Sequence, residues 1–266
     1  MIDSVEDFKT CGRKLSSVFE KTLPIIKPGI SLISIEKEIC RLIEKSKGEA
    51  AFKTVPNYFW ASCINLNEGV VHGIPDKTVV KPGDLVSLDV GLKYKDWYTD
   101  MAYTLQVRSS KSKIQNWKWG KFLKAGEEAL QKAIVAARLG NRVGDISRAI
   151  QKTIEDSGYQ PVRELTGHGI GRELHQFPWI PCFLDSPIGK TPILKEGMSL
   201  AIEVIYTEGS PWLKKTTDGW TIRTADGKMS ALFEKTILVA KDGAKVITPY
   251  SWGELIDCPV LVNKQV

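Results

Sequence analysis

The three histidines of this 266-residue chain fall in two short motifs. His72 stands in Val70-Val71-His72-Gly73-Ile74-Pro75, and His168 and His175 share Gly167-His168-Gly169-Ile170-Gly171-Arg172-Glu173-Leu174-His175. A neutral imidazole binds transition metals, and its charge changes near neutral pH. Glycine beside it permits unusual backbone angles or the close approach of a ligand. A lone histidine is more commonly a surface or core residue than a ligand, so the acids around these motifs decide the reading. Asp89 is embedded in Leu85-Val86-Ser87-Leu88-Asp89-Val90, and Asp100 follows eleven positions later. Glu203 interrupts Leu200-Ala201-Ile202-Glu203-Val204-Ile205, and Glu234 interrupts Ala231-Leu232-Phe233-Glu234-Lys235-Thr236-Ile237. Taken singly, each acid fits the solvent side of an alternating strand. Aspartate is disfavoured inside strands, however, and a buried carboxylate without a partner is costly. With His168, the four carboxylates form a ligand set for two divalent first-row cations bridged by shared carboxylates. A single structural zinc would leave too much negative charge uncompensated, and the motifs hold no thiolate ligands.

Rival chemistries find less support. The sequence has no G-x-G-x-x-G, Walker loop, H-E-x-x-H or G-x-S-x-G motif. Cys63 paired with one of the histidines could serve as a nucleophile, but that leaves the four acids unexplained.

The elements that must position these residues follow from periodicity. Phe8, Cys11, Leu15, Val18 and Phe19 recur at helical spacing from Ser4 to Ile26, closed by Pro24 and Lys27-Pro28-Gly29. A second amphipathic helix runs from Ser31 to Lys47, before Gly48. Leu85 to Val90 reads as a strand, and Trp97 to Val107 as its antiparallel partner. A hairpin turning around Lys93-Tyr94-Lys95-Asp96 would set Asp89 and Asp100 face to face. Lys113 to Leu139 and Val143 to Asp156 read as helices, then Met198 to Tyr206 and Met229 to Val239 as strands. Helices then strands, twice over, predict two similar α+β halves burying one shared sheet.

Hydrophobic content of 42% and charged content of 26% describe an ordinary globular chain, not a disordered one. No apolar run reaches the roughly 20 residues of a membrane helix. The acidic start, Met1-Ile2-Asp3-Ser4-Val5-Glu6-Asp7, lacks an apolar signal core. Cys11, Cys40, Cys63, Cys182 and Cys258 are scattered without a C-x-x-C pair, which suits free thiols in a reducing cytoplasm. Part of the net charge of +6 comes from Arg108, Lys111, Lys113, Lys118, Lys121 and Lys124, interleaved with Trp117, Trp119 and Phe122. Such a stretch could touch nucleic acid. A helix with its apolar face in the core and its lysines in water explains it more simply.

The ordered set His72-Gly-Ile-Pro, Asp89, Asp100, Gly167-His168-Gly-Ile-Gly, His175, Glu203 and Glu234 resembles that of the type I methionine aminopeptidases. The likeness runs from Cys11-Gly12-Arg13 and Lys27-Pro28-Gly29 to Val239, nearly the whole chain. It implies the pita-bread fold: an α+β architecture of two pseudo-symmetric halves sharing a curved antiparallel sheet, with helices outside. Residues 1–266 would then be one catalytic domain, with halves near 1–110 and 111–250 and a short tail at 251–266.

The same resemblance implies site roles. Asp89 would bind one cation through both oxygens, Asp100 and Glu234 would bridge the pair, and His168 and Glu203 would complete the other shell. A water between the cations would become the hydroxide that attacks the scissile carbonyl, with Glu203 shuttling its proton. His175 would hydrogen-bond the carbonyl oxygen, and His72 would lie near the scissile amide. Tyr58, Cys63 and Trp220 would line the methionine pocket. Val55, Leu174, Gln176 and Val204 depart from the family's usual residues, which bears on substrate preference and rate. The implied cofactors are two divalent ions, drawn from Co, Mn, Fe, Zn and Ni. The implied partners are nascent polypeptides with N-terminal methionine and, transiently, the ribosome, acting on a cytoplasmic monomer without membrane or DNA contact. Two other readings compete: an Xaa-Pro peptidase of the same superfamily, and a metal-free ribosome- or RNA-binding module.

Overall fold

Cys11, Leu15, Val18 and Phe19, at positions that fall on one side of a helix, give the first helix one apolar stripe, and all four are buried. The structure is a computed structural model that describes residues 2–108 and 118–249. It places this helix, α1, at Ile2–Thr22, followed by the 3-10 turn Leu23–Ile25. Helix α2 spans Leu32–Lys45 and buries Ile35, Ile39, Leu42 and Ile43. Strands β1 (Glu49–Ala50), β2 (Ser62–Leu66), β3 (Gly69–Val71), β4 (Leu85–Tyr94) and β5 (Trp97–Gln106) follow.

The second run opens with α3 (Gly120–Ala136) and α4 (Val143–Asp156). Strands β6 (Gln160–Pro161), β7 (Thr166–Gly169), β8 (Gln176–Pro181) and β9 (Ser199–Thr207) come next. Then come β10 (Leu213–Lys215), β11 (Ile222–Thr224), β12 (Ser230–Ala240) and β13 (Gly243–Val246). The helix expected from Lys113 begins later, because Lys118 and Trp119 form a turn before Gly120. Lys111, Lys113 and Trp117 lie outside the described residues. Trp119 and Phe122 are buried while Lys118, Lys121 and Lys124 are exposed, as a core-facing helix with solvated lysines requires. Among the described residues no helix is long and apolar enough to cross a membrane.

Among the described residues, backbone pairing produces three antiparallel sheets. The first pairs β4 with β1, β2 and β5; the second runs β10-β11-β3; the third runs β13-β12-β9-β7-β8, with β6 on β9. The expected single shared sheet is thus interrupted between β5 and β12, where side chains replace the backbone ladder. Thr236 Oγ1 on β12 accepts from the Asp100 N–H (2.9 Å) and donates to the Asp100 carbonyl (2.7 Å). Reciprocally, Thr104 Oγ1 on β5 accepts from the Leu232 N–H (2.8 Å) and donates to its carbonyl (3.0 Å).

Helices cover one face of these strands. Cys11 on α1 lies 3.3 Å from Thr99 Oγ1, and Tyr206 on β9 donates to the Phe122 carbonyl of α3 at 2.5 Å. Residues one position away, Asp100 beside Thr99 and Glu203 and Glu234 beside Val204 and Phe233, therefore point to the opposite face. That opposite face holds the acids.

Candidate active site

Glu203 and Glu234 are direct cross-strand partners on β9 and β12. Asp89 instead faces Ala102, and Asp100 faces Gly91. The two aspartates share a face but sit diagonally, not face to face as expected. The cause is the hairpin turn: Tyr94 pairs with Trp97 across the two-residue turn Lys95-Asp96, with Lys95 at φ 54°. That turn is centred one residue later than the sequence suggested, which shifts the register by two and preserves the face. His168 on β7 faces Ala201 of β9, so it is diagonal to Glu203, with Nε2 3.6 Å from Oε1. His168 Nδ1 lies 2.9 Å from the Gly169 carbonyl. A carbonyl only accepts, so Nδ1 carries the proton and the Nε2 lone pair is turned toward the acids. Asp100, His168 and Glu234 each offer one ligand atom within 4.8 Å of the others.

Gly167 and Gly169 are glycines because β7 is squeezed between its neighbours. A Cβ on Gly167 would lie 2.6 Å from the Ala201 carbonyl oxygen, and one on Gly169 2.5 Å from that of Phe177.

The electrostatics are unfavourable without a cation. Burial, reinforced by Asp100 and Glu203, pushes the Asp89 carboxyl well above the usual carboxylate range. Burial pushes Asp100 up to about 7. Glu203 and Glu234 are likewise held high, by burial first and then by Asp100. Asp89 Oδ1, Asp100 Oδ1 and Glu234 Oε1 are buried without a hydrogen-bond partner. Clustered carboxylate oxygens with no donor, beside one imidazole lone pair, suit divalent first-row cations in donor type and in charge.

A buried apolar cluster adjoins the acids, with Cys63 paired to Asp89 and Ala201 to His168. Ala51, Phe52, Tyr58, Cys63, Ile170, Leu174 and Ala201 form a buried cluster, with Val55, Trp60, Tyr98 and Trp220 packed on it. Tyr58 donates to the Ser62 carbonyl (2.9 Å) and lies 3.2 Å from Cys63 Sγ. Trp220 packs edge-on to Tyr58 at 5.1 Å, and His72 lies 6.5 Å from Trp220. His175 stands 4.5 Å from His168. His72 and His175 are open to the cleft, whereas His168 is buried. Surrounding protein nonetheless pushes His72 down to about 4, helped by His175 and Lys215, and lowers His175. Burial, then His175, pushes His168 down to about 4. Burial thus favours the neutral form of all three imidazoles. His72 also holds φ 58°, the left-handed region that a β-carbon disfavours.

Residues 6–241 match the model of metallopeptidase family M24. Methionine aminopeptidase 1 of Bacillus subtilis is 37% identical over 240 residues, covering 90% of this chain and 94% of that protein. The chain belongs to the M24 methionine aminopeptidases. The crystal structure of the methionine aminopeptidase from Thermotoga maritima superposes with a TM-score of 0.87 at 36% identity, covering 93% of this chain and 97% of the other. A prolidase from Pyrococcus furiosus shares the fold alone, at TM-score 0.73 and 20% identity. The α+β pita-bread architecture expected from the sequence is borne out by these likenesses.

Within this M24 chain, the departures sort by position. Leu174 belongs to the buried recess and Val55 packs against it. Gln176 donates to the Ile170 carbonyl at 3.3 Å. Val204 is fully buried and one residue from Glu203, hence on the helix-covered face. Trp60, Tyr98 and Ile170 went unremarked in the sequence as recess residues. The run Tyr58-Phe59-Trp60 and the place of Ile170 beside His168 were the available signals. Glu36 gave none: it reads as a helix surface, yet it is buried and accepts from the Ala61 N–H (2.7 Å) and Ser62 Oγ (2.6 Å). It thereby anchors the strand that carries Cys63.

Proposed function

We propose that this enzyme removes the initiator methionine from nascent polypeptides, using two divalent cations held by Asp89, Asp100, His168, Glu203 and Glu234. The observation that carries the reading is the cluster of buried, unpartnered carboxylate oxygens beside a buried cluster of apolar and aromatic side chains. Held by those five residues, the cations would supply the Lewis acidity that makes a water nucleophilic toward the scissile carbonyl. Glu203 receives the water's proton and returns it to the leaving amine. His175, neutral and open to the cleft, donates to the carbonyl oxygen as negative charge develops there. His72 sits beside the scissile amide. Tyr58, Cys63 and Trp220 hold the methionine thioether among sulfur and aromatic edges. The chain works as one catalytic domain and as a cytoplasmic monomer, with ribosome contact transient. Co, Mn, Fe, Zn and Ni all suit the donor set.

Met-Ala and Met-Lys peptides incubated with Mn²⁺, Fe²⁺ or Co²⁺ test this. Methionine should be released from Met-Ala, and faster than from Met-Lys. No methionine from either peptide would sink the reading. Cleavage of Ala-Pro in place of Met-Ala would reassign the enzyme to Xaa-Pro bonds.

A further inference from the structure

Trp179 on β8 is half exposed, and its register position places it on the same face as the candidate metal ligands. It pairs directly with His168. His168 in turn faces Ala201 of β9, and Ala201 faces Thr236 of β12. Directly paired residues of antiparallel strands project to one side, so Trp179, His168, Ala201 and Thr236 form a single row across the cleft face. The inner members of this row are accounted for: His168 by its place among the acids, Ala201 by the recess, Thr236 by its bonds to Asp100. Trp179 ends the row at the rim, with 51% of its surface in solvent.

We propose that Trp179 is a specificity-determining residue that holds the third residue of the substrate and favours a large apolar side chain there. The inference rests on the aminopeptidase reading above. Its geometry runs from the scissile carbonyl outward. On that reading the first side chain lies against the apolar cluster around Tyr58 and Cys63, so the rest of the substrate passes over the solvent-exposed rim. Cross-strand Cβ atoms stand about 5 Å apart, and the indole reaches further from its own Cβ. An extended chain advances about 3.4 Å per residue. The ring therefore stands roughly two residues along the chain from the His168 imidazole, opposite the third residue and not the second. The neighbouring strand chemistry points the same way. β8 is the edge of its sheet and ends on Pro181, and an edge strand that carries proline is a poor template for backbone pairing. A passing peptide is thus read by the ring and not by backbone pairing. An indole prefers apolar and aromatic neighbours over water or a carboxylate.

Steady-state kinetics on Met-Ala-X-Ala peptides, with X as Phe, Leu, Gly or Asp, test the proposal on the metal-loaded enzyme. The expected result is a kcat/KM for Phe and Leu about three- to tenfold above that for Gly and Asp, with the difference lying in KM. Trp179→Ala should bring the ratio toward one, and Trp179→Phe should retain most of it. Thermal unfolding of both variants checks that the comparison is between folded proteins. Equal KM values across the four wild-type substrates, or a ratio that survives in Trp179→Ala, would overturn the proposal while leaving methionine removal intact. Absence of methionine release from every peptide would overturn both.

Discussion

Each acid of the cluster costs the fold something that the proposed cations would return, so single residues should have opposite effects in stripped and loaded protein. Asp100 is raised by burial from the ordinary aspartate range to about 7. A folded pKa above the unfolded value means that the native state binds the extra proton. Its contribution is therefore fully present below the unfolded pKa and is lost as pH rises through about 7. In chelator-treated protein, Asp100→Asn should accordingly gain stability relative to wild type as pH rises from about 4 to 7, measured by urea unfolding at each pH. With metal restored the order should invert, since the variant loses a ligand. A variant that is less stable at every pH without metal would show that ionising the buried Asp100 carboxyl costs the fold nothing. Glu203→Gln should keep the fold and lower kcat on Met-Ala by roughly 10²–10⁴-fold, the usual worth of a positioned proton carrier. Wild-type turnover in that variant would assign the proton to another group.

At the scale of elements, the long periodic segments were legible and the glycine-rich ones were not. The helix read over Val143 to Asp156 has the bounds of α4, because Ile146, Ile150 and Ile154 repeat at helical spacing and all are buried. β4, β5, β9 and β12 were legible from their β-branched runs. β7 was not, because Thr166-Gly167-His168-Gly169 has no strand propensity; its pairing depends on glycines that let two neighbours come close. The acids stood out because each broke an apolar strand. The recess walls did not, since they come from segments near residues 51–63, 98, 170–174, 201 and 220 and meet only on folding. The side-chain seam between β5 and β12 was equally hidden, as threonine in a strand is ordinary. Its strength can be measured: Thr236→Val removes two hydrogen bonds at constant shape. The variant should lose about 1–3 kcal/mol in urea unfolding and bind metal more weakly by calorimetric titration. Unchanged stability and affinity would show that packing alone holds the strands together.

At the scale of the whole molecule, cations that bind only the folded chain should stabilise all of it. Adding Mn²⁺ to stripped protein at a hundredfold excess over its Kd should raise unfolding free energy by roughly 2.7 kcal/mol per site, visible as a higher Tm in scanning calorimetry. A Tm indifferent to metal would mean that the acids do not act as ligands. The proposed ligands come from both runs of the chain, Asp89 and Asp100 from the first and His168, Glu203 and Glu234 from the second. What keeps these two groups apart at a fixed distance is a pair of hydroxyls, Thr104 and Thr236, each clasping the opposite backbone. A peptide ladder sets its spacing by backbone hydrogen bonds that nearly every residue supplies alike. A threonine spacer is encoded, so the gauge between the two ligand-bearing rails is heritable and adjustable by one substitution. Serine would keep the clasp and loosen its fit, and valine would open it. Descendants of this chain could retune cation size or affinity at these two positions without touching a ligand.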